Sequence, residues 1–171
     1  MRRVSMAWKV ILDTTALIAF YTELQRPDLL KSLRDFGYEL TIPRAVYEEL
    51  KPDRNFKKID CDVKGGVISI LDEVPESELM RLRFRFPSLH DGELEVIWWG
   101  QKFHSEGENY FCVLDDKTAR KSASRFGLRI KGTIGILNLL NELEVITKEQ
   151  KRELCLSLVK AGFRFPSEWC Y

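Results

Sequence analysis

Four short apolar runs in this chain each stop at carboxylates, and carboxylates placed in that way can gather a divalent cation and the chemistry it supports. Lys9-Val10-Ile11-Leu12 ends in Asp13, and Tyr110-Phe111-Cys112-Val113-Leu114 ends in Asp115-Asp116. Val46-Tyr47-Glu48-Glu49-Leu50 puts two acids on one helical turn, and His90-Asp91-Gly92-Glu93-Leu94-Glu95 opens another helix. In an open α/β fold, an acid at the carboxyl end of a buried strand points into the crevice above the sheet, where ligands bind. Two strand ends and two helices delivering acids to one place would concentrate a charge that like-charge repulsion opposes. A hard divalent cation with oxygen ligands neutralises such a cluster best. A cation held there can activate water against a phosphodiester.

Within that chemistry Asp13 is the expected direct ligand, because its strand fixes it at the crevice. One of Asp115 or Asp116 joins it from the next strand, and strand alternation leaves open which of the two points inward. Glu93 and Glu49 complete the site directly or through water, since Mg²⁺ keeps several waters. Thr14 or Thr15 is placed to hydrogen-bond a ligand or a metal water. Each acid also has a plain structural use. Asp13 can cap the first helix, Glu48 and Glu49 can form a solvated helix face, Glu93 can favour the positive end of its helix, and Asp115 or Asp116 can cap the helix that follows. Joint placement at element ends is what favours function. His90 and His104 lack metal-site spacing and read as surface polar residues.

These acids need a scaffold, and the chain supplies alternating strands and helices. Val10 to Asp13 is short, apolar and β-branched, as a buried strand is. Helices are expected over Thr14 to Tyr21 and Asp28 to Phe36, then a strand over Tyr38 to Ile42 and a helix from Pro43 stopped by Pro52. Asp53 to Lys64 is polar with no clear period. Gly66 to Leu71 is the next strand, followed by a short basic helix over Glu76 to Phe84. Helices follow at Asp91 to Phe103 and Lys117 to Phe126, with strands at Tyr110 to Leu114 and Leu128 to Ile130. Thr133 to Leu143 is an apolar helix, and Thr147-Lys148-Glu149-Gln150 has capping-box spacing for a last helix ending near Gly162. The alternation argues a parallel sheet with helices on both faces. The expectation is one domain over 1–171, with a core at about 9–146 and a helical C-terminal extension at about 147–171.

Lys+Arg 27 against Asp+Glu 26 leaves a net charge of +1, so only charge distribution can speak about nucleic acid. From Lys117 to Lys131 the charges are Lys117, Arg120, Lys121, Arg125, Arg129 and Lys131, with no acid among the numbered positions from 117 to 131. Lys121 and Arg125 share one helical face, where a phosphate backbone could be held. The alternatives are an ordinary solvated face, or Arg120 pairing with one of the acids. Arg81, Arg83 and Arg85 form a second, weaker patch. Cys61, Cys112, Cys155 and Cys170 contain no C-x-x-C pair and read as free thiols of a reducing compartment. The basic start at Arg2-Arg3 lacks a hydrophobic run of signal-peptide length, and no stretch approaches a membrane span. A cytoplasmic location without membrane partners is expected.

At the acidic segments the chain resembles a known family. Val10-Ile11-Leu12-Asp13-Thr14-Thr15-Ala16-Leu17-Ile18 is similar to the opening of PIN-domain (PilT N-terminus) nucleases, a family that includes toxin ribonucleases. Ile42-Pro43-Arg44-Ala45-Val46-Tyr47-Glu48-Glu49-Leu50 resembles the second acidic motif. Gly92-Glu93-Leu94-Glu95-Val96-Ile97 resembles a G-E-x-E-x-I signature of a prokaryotic, VapC-like branch. Leu114-Asp115-Asp116-Lys117-Thr118-Ala119-Arg120, followed by Gly132-Thr133-Ile134-Gly135-Ile136-Leu137, resembles that branch's last motif. The resemblance runs from Val10 to Ile146. It implies a three-layer α/β/α sandwich with a mainly parallel sheet of about five strands, and Mg²⁺- or Mn²⁺-dependent hydrolysis of RNA. It implies catalytic roles for Asp13, Glu49, Glu93, Asp115 and Asp116, and admits a separate antitoxin and a homodimer. Trp98-Trp99-Gly100 departs from the family, where small residues are usual.

Other classes compete. A catalytically silent PIN-fold module that binds RNA or assembles would keep the fold without the chemistry. A haloacid-dehalogenase-type phosphatase needs a second Asp two residues after the nucleophile, where Thr15 stands. A receiver-type phosphoacceptor accounts for Asp115-Asp116 but not for Glu49 and Glu93. Finally, Phe84-Arg85-Phe86-Pro87-Ser88 recurs as Phe163-Arg164-Phe165-Pro166-Ser167. Aromatic-basic alternation could stack on RNA, but a strand with one buried aromatic face is the reading preferred here.

Overall fold

The computed structural model describes residues 7–171; the basic start at Arg2-Arg3 lies outside the described residues. Five strands form one sheet: β1 (Trp8–Leu12), β2 (Tyr38–Ile42), β3 (Ile68–Ile70), β4 (Tyr110–Val113) and β5 (Ile130–Lys131). Their order is β3-β2-β1-β4-β5, and every neighbouring pair is parallel. Helices connect them in a three-layer α/β/α sandwich. They are α1 (Thr14–Ile18), prolonged by a π-helical turn at Ala19–Glu23, α2 (Pro27–Ser32), α3 (Arg44–Leu50), α4 (Phe56–Lys64), α5 (Glu76–Arg85), α6 (Asp91–Ser105), α7 (Lys117–Arg125), α8 (Thr133–Glu142) and α9 (Lys148–Lys160).

The central strands are apolar on both faces because both faces are covered, as all-parallel sheets require. Val10, Ile11 and Leu12 of β1 and Tyr110, Phe111, Cys112 and Val113 of β4 are all buried. Such side chains contribute about 1.5–3 kcal/mol each when fully removed from water. The β1–β4 register pairs Leu12 with Val113, so the residues just beyond both strands emerge side by side. The strand order reverses between β1 and β4, and that crevice is where the topology places a site.

Three expectations are corrected. The polar stretch 53–64, without visible period, contains α4. Ile59 is its one fully buried side chain, and the helix is held by polar contacts: Tyr47 donates to Asp60 at 2.8 Å, Tyr21 donates to Asp62, and Lys31 pairs with Asp62 at 3.1 Å. Phe56 and Val63 also pack on the core at helical spacing from Ile59, but three apolar residues scattered among lysines and aspartates make a faint period. The strand preferred for 84–88 is instead the end of α5, with the Phe86 amide donating to Leu82 O at 2.8 Å. Lastly, the expectation of four free thiols fails, because Cys155 and Cys170 form a disulfide while Cys61 and Cys112 stay free. Their separation in sequence hid a pairing made across a turn that folds back on α9.

Trp98 and Trp99 pack without disturbing the crevice. Trp99 lies against Phe103 with ring centroids 5.4 Å apart, and the Trp98 indole donates to Glu78 at 2.6 Å. Among the described residues no helix is long and apolar enough to cross a membrane.

Candidate active site

Asp13 follows β1 directly and is only 3% exposed. Its Oδ1 accepts the Ala16 amide at 2.9 Å, so it caps α1 while facing the crevice. The capping use and the site placement are therefore both realised in one residue. Asp115 follows β4 and turns toward Asp13. Its Oδ1 accepts the Thr133 amide at 2.7 Å and its Oδ2 accepts the Thr133 hydroxyl at 2.5 Å, both from the first residue of α8. Asp116 caps α7 by accepting the Ala119 amide at 2.8 Å, and its charge still reaches Glu93. The two adjacent acids therefore have different partners, Thr133 for Asp115 and the start of α7 for Asp116.

The helices bring the remaining carboxylates. Glu93 Oε1 accepts the His90 amide at 3.1 Å across the first turn of α6. Glu49, on α3, reaches the same helix end, its Oε1 accepting the Gly92 amide at 2.8 Å. Its Oε2 accepts the Thr14 hydroxyl at 2.6 Å, which joins α1, α3 and α6 at one point. Glycine at 92 makes this approach possible, since a Cβ there would lie 2.5 Å from Glu49 Oε2. Glu48 instead pairs with Lys51 at 2.6 Å on the solvent face and takes no part. Thr15, beside Thr14, is exposed.

Electrostatics tie these positions together. Burial, then the charge of Asp115, then Glu93 hold the Asp13 carboxyl well above the ordinary range, against hydrogen bonds from the Ala16 and Asp115 amides. Burial also raises Asp115, opposed by the two Thr133 hydrogen bonds and by the Arg120 charge. Glu93 is raised by burial and by Asp116 and Glu49. Interactions therefore run from Glu49 to Glu93, from Glu93 to Asp116 and Asp13, and from Asp13 to Asp115. All five carboxylates of the sequence reading share one neighbourhood.

Two contributors lacked a role in the sequence reading. Thr133 supplies both partners of Asp115, and the visible signal was its place as first residue of an apolar helix after Gly132. Glu95 is buried, and its Oε1 accepts the Ala45 amide at 3.3 Å, fixing the start of α3 relative to α6. Its carboxyl is raised by burial. The basic residues divide. Arg120 turns inward and donates to Leu114 O at 3.1 Å, whereas Lys117, Lys121 and Arg125 are exposed along α7 beyond Asp116.

The donor set is entirely carboxylate oxygen, which suits Mg²⁺ or Mn²⁺. Burial first and like-charge repulsion second raise the Asp13 and Glu93 carboxyls, and a cation would offset both. Among the described residues no group of three or more His, Cys, Asp or Glu side chains already stands at metal-holding spacing. The acids are tied to amides and hydroxyls, and the fit rests on their chemistry and grouping.

A family model described as a PIN domain matches residues 9–171, a span that includes every residue of this site. No curated protein matches the chain.

Proposed function

The chain belongs to the PIN-domain family, whose fold is of nuclease type, and from that premise we propose that it is a metal-dependent endoribonuclease hydrolysing RNA phosphodiester bonds. The observation that carries this reading is the like-charge linkage of Asp13 to Asp115 and to Glu93 at the strand-order reversal. Asp13, Glu93, Asp115 and Asp116 are the residues that would hold Mg²⁺ or Mn²⁺. Bound there, such a cation neutralises phosphate charge and lowers the pKa of a coordinated water. Asp13 and Asp115 are fixed by strand ends and by amide donors, so their oxygens are presented with little reorganisation. Glu49, held by Gly92 and Thr14, is the carboxylate placed to take the proton of the attacking water. Thr15 is available to the substrate at the start of α1. Lys117, Lys121 and Arg125 offer a line of cations to the phosphate backbone, with Arg120 steadying the turn after β4.

The test is cleavage of a panel of RNAs with Mg²⁺ or Mn²⁺ and with EDTA, alongside Asp13→Asn. Metal-dependent cutting that Asp13→Asn abolishes is the expected result. RNA bound but uncut under every metal condition would move the chain to the silent RNA-binding class. Membership of the VapC-like toxin branch, an antitoxin partner and a homodimer are the partner-level parts of the proposal. Growth arrest on expression, relieved by a neighbouring gene product, and sedimentation velocity test them.

A further inference from the structure

Helix α5 carries the most exposed large apolar side chain of the described residues: Phe84 is 90% exposed, and Met80, one turn earlier on the same face, is 59% exposed. The helix buries Leu79 and Leu82, so at the helical period Phe84, Met80, Ser77 and Arg81 point outward together. Nothing in the fold needs an aromatic ring there. The second copy of the same five residues makes the contrast, since Phe163 is half-buried and Phe165 stacks on Trp169. Exposure of Phe84 is therefore a property of its place and not of its motif.

The two guanidiniums that flank this ring in sequence, Arg81 and Arg85, take part in no ion pair among the described residues, whereas Arg83 is paired with both Glu76 and Asp91. Both acids of α5 are engaged elsewhere, Glu76 with Arg83 at 3.0 Å and Glu78 with the Trp98 indole at 2.6 Å. Arg81 is exposed beside Phe84. The Arg85 guanidinium lies 5.2 Å over the Phe86 ring and 4.9 Å over Phe126, which holds it at the end of α5 that carries Phe84. The helix end is also anchored to the site. Arg83 donates to both Asp91 oxygens, at 2.9 and 2.7 Å, and Asp91 is the first residue of α6, two before Glu93. An exposed aromatic face and two guanidiniums without acid partners, fastened to the helix end that carries Glu93, form the kind of surface that single-stranded nucleic acid recognises.

We propose that Phe84 and Arg81 on α5 form a single-strand RNA contact, with an unpaired base stacked on Phe84 and a phosphate on Arg81. The proposal rests on the reading of the site as one that acts on RNA and adds where the strand runs beside it. A protein surface would also cover Phe84, but two guanidiniums without acid partners beside the ring favour a polyanion.

Because stacking needs no metal, the test is binding of a fluorescein-labelled single-stranded RNA, and of the same sequence as duplex, to the full chain in EDTA. Phe84→Ala should weaken single-strand binding about tenfold, leave the salt dependence unchanged, and leave thermal stability unchanged because the ring is exposed. Phe84→Trp should restore binding. Arg81→Ala should reduce the log–log salt slope by about 0.7. The proposal is overturned if Phe84→Ala binds single strands like the unaltered protein, if the unaltered protein binds no RNA, or if the loss falls equally on duplex. It is also overturned if Phe84→Ala changes only the sedimentation of the RNA-free protein, which would make the face a protein contact. Phe84-dependent binding without any cleavage would fail the nuclease reading alone, and cleavage with Phe84-independent binding would fail this inference alone.

Discussion

Glu49 reaches across from α3 to accept the Gly92 amide at 2.8 Å, and the glycine's missing side chain is the space the carboxylate occupies. Gly92→Ala would put a Cβ 2.5 Å from Glu49 Oε2 and 3.0 Å from Oε1. The obstructing group is the far end of a flexible side chain, so Glu49 can swing away at low cost. Alanine in the first turn of α6 also improves helix propensity by up to about 1 kcal/mol. The expected variant melts at or above the temperature of the unaltered protein yet loses at least about tenfold in RNA cleavage. A thermal melt beside a cleavage assay checks both halves, and a stable variant with full activity would show that Glu49 is dispensable.

The sheet and the acids were legible for a common reason. Buried parallel strands announce themselves as apolar runs, and Val10-Ile11-Leu12 and Phe111-Cys112-Val113 are such runs, each ending at the crevice. What could not be read were features set by polar or distant contacts. α4 docks through only three spaced apolar residues, Phe56, Ile59 and Val63, helped by Tyr47–Asp60 and Tyr21–Asp62, pairs that no hydrophobic period reveals. The hydrogen bonds that set the Asp115 carboxylate come from Thr133, which lies beyond α7 and β5 in the chain. The outward turn of Phe84 depends on the phase of α5, and alternation of Phe84 and Phe86 suggests a strand as readily as a helix end.

Removing one charge from the cluster should stabilise the metal-free protein. Asp13→Asn keeps an oxygen able to accept the Ala16 amide and deletes the repulsion with Asp115 and Glu93. In EDTA its melting temperature should rise by a few degrees, since about 1 kcal/mol shifts a domain of this size by roughly 2–4 °C. Mg²⁺ or Mn²⁺ should stabilise the unaltered protein, by about 2.7 kcal/mol at a hundredfold excess over the dissociation constant. The same additions should do far less for Asp13→Asn. Differential scanning fluorimetry across a metal titration reads both, and an equal metal response in the two proteins would remove Asp13 from the ligand set.

The cysteines should react in three steps. Cys61 is exposed and should take a maleimide in the native, unreduced protein. Cys112 is buried, and burial pushes its thiol up to about 12, so it should label only after unfolding. Cys155 and Cys170 should require reduction as well. Mass spectrometry should then count one, two and four adducts. Their bridge closes a loop of 15 residues, for which chain entropy gives about 3 kcal/mol. Reduction should lower the melting temperature while leaving RNA cleavage unchanged, because the bridge joins α9 to the C-terminal turn and no residue of the acidic site contacts either cysteine in the bonds described above.

The exposed cations of α7 distinguish a working nuclease from a fold with idle acids. Lys121 and Arg125 sit one turn apart on the solvent side of the helix that Asp116 caps. If they hold phosphates, Lys121→Ala with Arg125→Ala should weaken binding to all single-stranded RNAs alike. The log–log salt slope should fall by about 0.7 for each phosphate no longer held. Stability and the metal-induced rise in melting temperature should be retained, since neither side chain is a proposed ligand. Asp13→Asn should give the opposite pattern, with cleavage abolished and most salt-dependent binding preserved. Fluorescence anisotropy between about 50 and 200 mM salt, paired with cleavage rates, measures both variants. A double variant with an unchanged slope and unchanged rate would return this face of α7 to ordinary solvation and direct the search for the substrate track to α5.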